Sequence, residues 1–252
     1  MVRAAICGAN GKMGRVIADI ISKRKDIEVV AGIDLNTESY ADFPIVSSPN
    51  ELESAPDVII DFSHPSTLES LCDYCLTNGV PAVFATTGYD EAQKALIKKT
   101  SQQIPVFFTF NMSLGINLLC ELSKKAAKIL GGQFDIEIVE KHHNQKIDAP
   151  SGTALMLADA INDTMNGEMH YVYDRHSVRR KREKSEIGIH AIRGGTIVGE
   201  HDVIFAGRDE VITLSHHAAS KEVFAVGAVN AAVFLNDKPA GLYDMKDVLE
   251  LG

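Results

Sequence analysis

Alternation in the first 110 or so residues constrains this chain more than any other feature. Short, continuous apolar runs rich in β-branched residues occur at Val2–Cys7, Ile27–Ile33, Val58–Phe62, Val80–Phe84 and Ile104–Phe108. Between them, 12–24, 65–77 and 90–102 carry apolar residues at helical spacing. A strand that is apolar on both faces must be covered on both, and a connection long enough to hold a helix joins parallel neighbours. The pattern therefore predicts an α/β domain with a Rossmann-like parallel sheet.

After residue 112 the pattern changes. A helix is expected at about 115–130, ended by Gly131-Gly132, a helix-stop signal. It is followed by a strand at Phe134–Glu140, a helix from about 152, and strands at Ile187–Ile192, Thr196–Phe205 and Val211–Ser215. Three strands in close succession with Gly-containing turns predict antiparallel pairing, hence a separate α+β unit with a mixed or antiparallel sheet. Glu222–Leu235 is small and apolar, a closely packed helix, and the tail is expected to return to the first domain.

Composition narrows the function. With 25 basic against 34 acidic residues the net charge is −9, which argues against a nucleic-acid or anionic-membrane partner. No apolar run approaches the roughly 18 residues of a membrane span, and the first residues lack the pattern of a secretory leader. Cys7, Cys72, Cys75 and Cys120 are too few and scattered for a disulfide framework, so a cytoplasmic protein is expected. Cys72-x-x-Cys75 falls inside an expected helix without a second ligand pair and reads as apolar packing; no metal site is read. The basic run Arg179–Lys184 reads as a solvated loop.

Gly8-Ala9-Asn10-Gly11-Lys12-Met13-Gly14 follows the first strand and opens the first helix. Small residues there let the backbone turn sharply and bring pyrophosphate to amides at a helix N-terminus. Asp34 ends the second strand, 20 residues past Gly14, where a carboxylate can accept hydrogen bonds from the adenosine ribose. Asp61-Phe62-Ser63-His64 and Ala85-Thr86-Thr87-Gly88 also end strands of this half, so a dinucleotide site is expected.

Glu140-Lys141-His142-His143-Asn144-Gln145-Lys146 leads through Asp148-Ala149-Pro150-Ser151 to Gly152-Thr153 at the start of a helix. The helix N-terminus offers free N–H groups to a carboxylate, Lys146 adds a point charge, and His142 or His143 titrates near neutral pH. A dinucleotide half followed by an anion cradle beside a proton donor spells reduction of a small carboxylated substrate.

These segments resemble the 4-hydroxy-tetrahydrodipicolinate (dihydrodipicolinate) reductase family over essentially the whole chain. The likeness includes Gly8–Gly14, Thr86-Thr87-Gly88, Asn111–Gly115, the His142–Thr153 run, Ile192-Arg193-Gly194-Gly195, Val198–His201 and Gly241–Met245. It implies a dinucleotide-binding domain at 1–112 completed by 221–252, and a substrate and tetramerisation domain at 113–220. It implies a dicarboxylate heterocyclic substrate reduced by NADH or NADPH after loss of water. His142 matches the catalytic acid/base and Lys146 the second catalytic position. His143, Gly152 and Thr153 match substrate contacts. Gly8, Ala9, Asn10, Gly11, Lys12, Met13, Asp34, Ala85, Thr86, Thr87, Thr109, Phe110, Asn111 and Met112 match cofactor contacts. Three departures concern the cofactor: Ala85 replaces a usual glycine, the small pair before Asn111 is Thr109-Phe110, and Leu35 stands where some members carry Arg. With Lys12 as the one nearby cation named from sequence, NADH is favoured. The alternatives are another Rossmann amino- or keto-acid dehydrogenase, and a catalytically silent NAD(P)H-binding regulator. His201 is expected to make a structural hydrogen bond.

Overall fold

In the structure, a computed structural model that describes residues 1–249, the first half alternates as its sequence requires. β1 (Val2–Cys7), α1 (Lys12–Ser22), β2 (Ile27–Ile33), β3 (Ile45–Val46), β4 (Val58–Asp61), α2 (Leu68–Asn78), β5 (Ala82–Phe84), α3 (Glu91–Thr100) and β6 (Pro105–Phe108) follow in turn. Then come α4 (Leu114–Leu130), β7 (Asp135–His142), α5 (Gly152–Thr164), β8 (His170–Val172), β9 (Glu186–Arg193), β10 (Gly199–Ala206) and β11 (Val211–Ala218). The chain ends through α6 (Glu222–Leu235), β12 (Gly241–Tyr243) and α7 (Met245–Val248). Two compact units result, one of Met1–Ser113 with the segment from Glu222 onward, the other of Leu114–Lys221.

The first unit holds a seven-stranded sheet in the order β12-β6-β5-β4-β1-β2-β3, parallel throughout. Its strands are apolar on both faces because both are covered. α2 and α3 supply Leu68, Leu71, Cys72, Cys75 and Ile97 to a core with Ala5, Cys7, Ile33, Ile59 and Phe84. α6 packs on α1 and against β4, β5 and β6; its buried Ala225, Gly227, Ala228, Ala231 and Ala232 permit that close approach. Phe84 and Phe107 are wholly buried, each contributing about 1.5–3 kcal/mol. Cys72 and Cys75 lie in α2 with no exposure, and burial pushes both thiols up. The short strands β3, β8 and β12 had no sequence signal, since two or three residues set no period.

The second sheet runs β11-β10-β7-β9-β8. α4 and α5 cover one face: Ile116, Leu119, Leu157 and Ile161 pack on Ile136, Ile138, Ile187, Val203 and Phe205. Here the expected pairing needs correction. β10 pairs antiparallel with β11 and with β7, but β9 lies on the far side of β7 and runs parallel to it. The connection from β7 to β9 carries α5, and a helical crossover is what parallel neighbours need. The basic run is the exposed loop expected, with Arg182 alone half-buried. Arg182 donates to Asp135, Glu137 and the carbonyls of Ile136 and Glu186, while Arg175 joins Glu186 to Glu137. Acidic residues at the start of β7 and β9 thus strap this stretch down.

Candidate active site

Strand order reverses between β1 and β4: β2 and β3 lie to one side, β5 and β6 to the other. Ligands of open α/β sheets bind at the carboxyl ends beside such a switch. The structure places Gly8–Met13 after β1, Asp34 after β2, Ala85–Thr87 after β5 and Thr109–Met112 after β6, all at this edge. Gly8 has φ +79, and a Cβ there would lie 2.6 Å from the Phe62 carbonyl oxygen. A Cβ on Gly14 would collide with the Gly8 carbonyl and with Ala9. Gly11 stands at the N-cap of α1 and offers no side-chain cap, which leaves first-turn N–H groups for an anion. The Thr86 hydroxyl is buried without a well-formed hydrogen bond. These features fit a dinucleotide pyrophosphate and its neighbours.

Asp34 does more than the sequence implied. Its Oδ2 accepts from the Asn10 amide at 2.9 Å and its Oδ1 from the Asn36 amide at 3.0 Å. It therefore ties the loop after β2 to the phosphate turn. Tyr40 donates to the Ala9 carbonyl at 3.0 Å, and Arg15 stacks 4.1 Å from the centroid of the Tyr40 ring while donating to Asn10 Oδ1 at 2.6 Å. Arg15 is thus a second cation at this end, where the sequence reading named Lys12 alone. Its only signal was a position three residues beyond Lys12, one helical turn along. Asp61, fully buried, accepts from Tyr89 Oη at 2.8 Å and from Ser63. It joins the loop after β4 to the loop after β5. Phe110 is 73% exposed and Met112 5%, and the Asn111 carboxamide accepts from the Ser113 amide at 2.8 Å.

In the second unit, β7 delivers His142 at its carboxyl end, buried. His142 Nδ1 lies 2.6 Å from Glu140 Oε2. Opposite its other nitrogen stands Gly199, where a Cβ would come within 3.2 Å of Nε2; glycine keeps that atom open. Burial pushes the imidazole below its ordinary range, and the Glu140 carboxylate opposes that push. His201 on β10 packs edge-on against His142, ring centroids 5.2 Å apart. Its Nε2 lies 3.1 Å from Ser151 Oγ, the expected structural bond, and burial pushes it down to about 4.

Ser151 caps α5, its Oγ accepting from the Ala154 amide, so Gly152 and Thr153 open the helix as the sequence implied. Lys146, one loop before, lies 2.9 Å from Asp148 Oδ1. The Lys146 ammonium, together with the Gly152 amide, holds the Asp148 carboxyl below its usual range. An internal carboxylate thus sits against the cation assigned to a substrate carboxylate. His143 is half-buried in the loop, and its carbonyl accepts from the Lys146 amide at 3.2 Å. The sequence reading missed Glu140 and Arg193 as parts of this site. Both stood in motifs already quoted, but nothing in spacing shows that residues 53 apart meet.

A parallel sheet with a glycine turn at its switch point defines a nucleotide-binding protein of the Rossmann type, and the second unit adds a buried imidazole within the field of an ammonium. Comparison with known proteins narrows this. Residues 2–112 match the family described as dihydrodipicolinate reductase, N-terminus, and 115–249 match dihydrodipicolinate reductase, C-terminus. A 4-hydroxy-tetrahydrodipicolinate reductase from Caldanaerobacter subterraneus subsp. tengcongensis is 52% identical over 252 residues, covering 100% of both chains. Its namesake from Clostridium tetani is 51% identical, covering 99% of this chain and 97% of its own. A dipicolinate-bound dihydrodipicolinate reductase from Paenisporosarcina sp. TG-14 superimposes with a TM-score of 0.79 at 26% identity, covering 97% of each chain. The chain belongs to the dihydrodipicolinate reductase family, NAD(P)H-dependent oxidoreductases of diaminopimelate and lysine biosynthesis.

Proposed function

We propose that this protein reduces 4-hydroxy-tetrahydrodipicolinate, after its dehydration to dihydrodipicolinate, to tetrahydrodipicolinate. NAD(P)H, when bound, supplies the hydride, delivered to ring C4 of the conjugated imine. The residues of this chain do the rest. Gly8–Met13 cradle the pyrophosphate; Asp34 faces the adenosine ribose; Ala85–Thr87 and Thr109–Met112 border the nicotinamide end. The Lys146 ammonium and the N–H groups of Gly152 and Thr153 hold a substrate carboxylate, displacing Asp148. His143 contributes a further polar contact. His142, carrying a proton on Nε2, donates it as the ring is reduced, and Lys146 is the second proton source. In this reading 1–112 with 221–252 is the dinucleotide-binding domain and 113–220 the substrate domain.

The observation that carries this reading is the buried His142 with its Nδ1 fixed on Glu140, in the same unit as Lys146 and the start of α5. A general acid must be held in one orientation, and a cofactor-binding regulator needs none. A dicarboxylate substrate is supported by the dipicolinate bound to the Paenisporosarcina relative. NADH is the preferred cofactor. The 2′-phosphate of NADPH would face Asp34, and like charges 4 Å apart cost about 4 kcal/mol at an effective dielectric near 20, an upper figure at a wet surface. Lys12 and Arg15 recover part of this, and the balance leaves NADH ahead by about 1–2 kcal/mol. This reading includes a cytoplasmic location and assembly as a homotetramer, the latter supported by the edge strand β11 of the second sheet, which exposes Val211 and Ile212. No helix among the described residues is long and apolar enough to cross a membrane.

The test is a coupled assay. Supplied with the condensation product of pyruvate and aspartate semialdehyde, freshly made by the preceding synthase, the protein should oxidise NADH at roughly 1–10³ s⁻¹. Oxidation no faster than in the synthase-free control, with both NADH and NADPH, refutes the reading.

A further inference from the structure

Glu140 is wholly buried, and an isolated carboxylate in such a place is costly. Its two oxygens carry four donors. Oε1 accepts from the Ser151 amide at 2.9 Å and from Arg193 Nη2 at 2.7 Å. Oε2 accepts from Arg193 Nη1 at 2.7 Å and faces His142 Nδ1 at 2.6 Å. An ionised carboxylate can only accept, so Nδ1 of His142 bears a hydrogen in both protonation states. The titrating position is Nε2, the atom that Gly199 leaves open.

A carboxylate with no other partner would do a second thing: it would hold the imidazolium and make it a reluctant donor. Arg193 prevents this by placing a permanent positive charge on the same two oxygens in bidentate geometry. It is anchored there by a further bond to the Asp148 carbonyl at 2.7 Å. We propose that Glu140 and Arg193 form a charge-compensated positioning pair, which fixes the tautomer of His142 while leaving its Nε2 proton free to transfer. The proposal rests on the reading of His142 as proton donor and assigns its control to two residues that act through the imidazole.

Four groups face the imidazole. Glu140 on its own strand favours the charged form; Arg193 from β9 and Lys146 from the following loop oppose it. His201 from β10 is neutral above its depressed value of about 4. The signs follow. Removing the Glu140 charge lowers the His142 pKa, and removing the Arg193 charge raises it.

The experiment is ¹⁵N NMR of the intact protein labelled at histidine, with His142 assigned by its loss in His142→Gln. In the wild type above neutral pH, Nδ1 should show the protonated, pyrrole-type shift and Nε2 the bare, pyridine-type shift. Glu140→Gln should move the titration of His142 down and Arg193→Gln should move it up, each by about one unit, a tenfold change in proton affinity. Arg193→Lys keeps a charge there and should return the titration towards the wild-type value. The wild-type tautomer needs no variant to fold. A proton on Nε2 of neutral His142, or shifts of the same sign in both charge-removing variants, overturns the proposal. If that happens while His142→Gln still lowers kcat by about 10²-fold or more, the pair falls and the proton-donor reading stands. If His142→Gln keeps full turnover, both fall.

Discussion

The proposed cofactor site of the first unit and the proposed proton-donating site of the second are built from different material. At the end of β1 the binding surface is backbone: N–H groups at a helix start, brought into place by glycines whose missing Cβ atoms make room. At the end of β7 it is side chains, with a buried imidazole, a carboxylate and a guanidinium drawn from β7 and β9. A backbone site depends on local chain geometry and tolerates any side chain that fits. A side-chain site depends on compensated charge, because each buried ion needs its partner. The first site should therefore break through sterics and the second through electrostatics.

The largest effect is expected at the second site. His142→Gln should lower kcat by about 10²–10⁴-fold, the worth of a positioned general acid. Lys146→Ala should lower kcat and raise KM together, since it removes a proton source and a charge. Steady-state kinetics decide this; more than half of wild-type kcat/KM in either variant contradicts the role assigned. Next comes Gly14→Ala, whose new methyl meets the Gly8 carbonyl and Ala9. Forced overpacking of this kind costs about 1–3 kcal/mol, visible as a lower denaturation midpoint and weaker cofactor binding. The His142 titration should not move. If it does, the two sites are not independent.

How far could these sites be read in advance? The phosphate turn was legible because its requirement is sequential: strand, glycine at three-residue intervals, helix. The parallel sheet was legible for the same reason, through apolar strands that alternate with crossovers. The Glu140–Arg193–His142 cluster was not. Its members come from strands 53 residues apart, and their pairing depends on β9 lying beside β7, which the succession of three strands misrepresented. Arg15 was hidden differently, as one more cation on an exposed helical turn until Tyr40 folded beneath it.

A smaller effect sharpens the picture at the first site. Leu35 is 94% exposed beside Asp34, so a guanidinium there has space to reach a 2′-phosphate. The wild type should favour NADH by roughly 5–30-fold in kcat/KM, and Leu35→Arg should shift the ratio towards NADPH. A wild type that prefers NADPH would show that Lys12 and Arg15 outweigh Asp34. Smaller still is Asp148→Asn. An exposed ion pair is worth about 0.2–1 kcal/mol, so freeing Lys146 from Asp148 should lower the KM for substrate by no more than about 5-fold. A rise in KM would mean that Asp148 helps to hold the substrate instead of competing with it.

In the proposed division of labour the backbone of one unit holds the cofactor and side chains of the other supply the protons. Titration of NADH into the double variant His142→Gln/Lys146→Ala tests it most directly. The dissociation constant should stay within about threefold of wild type, a difference below 1 kcal/mol, in a protein that no longer turns over. A loss of affinity beyond tenfold, about 1.4 kcal/mol, would contradict it.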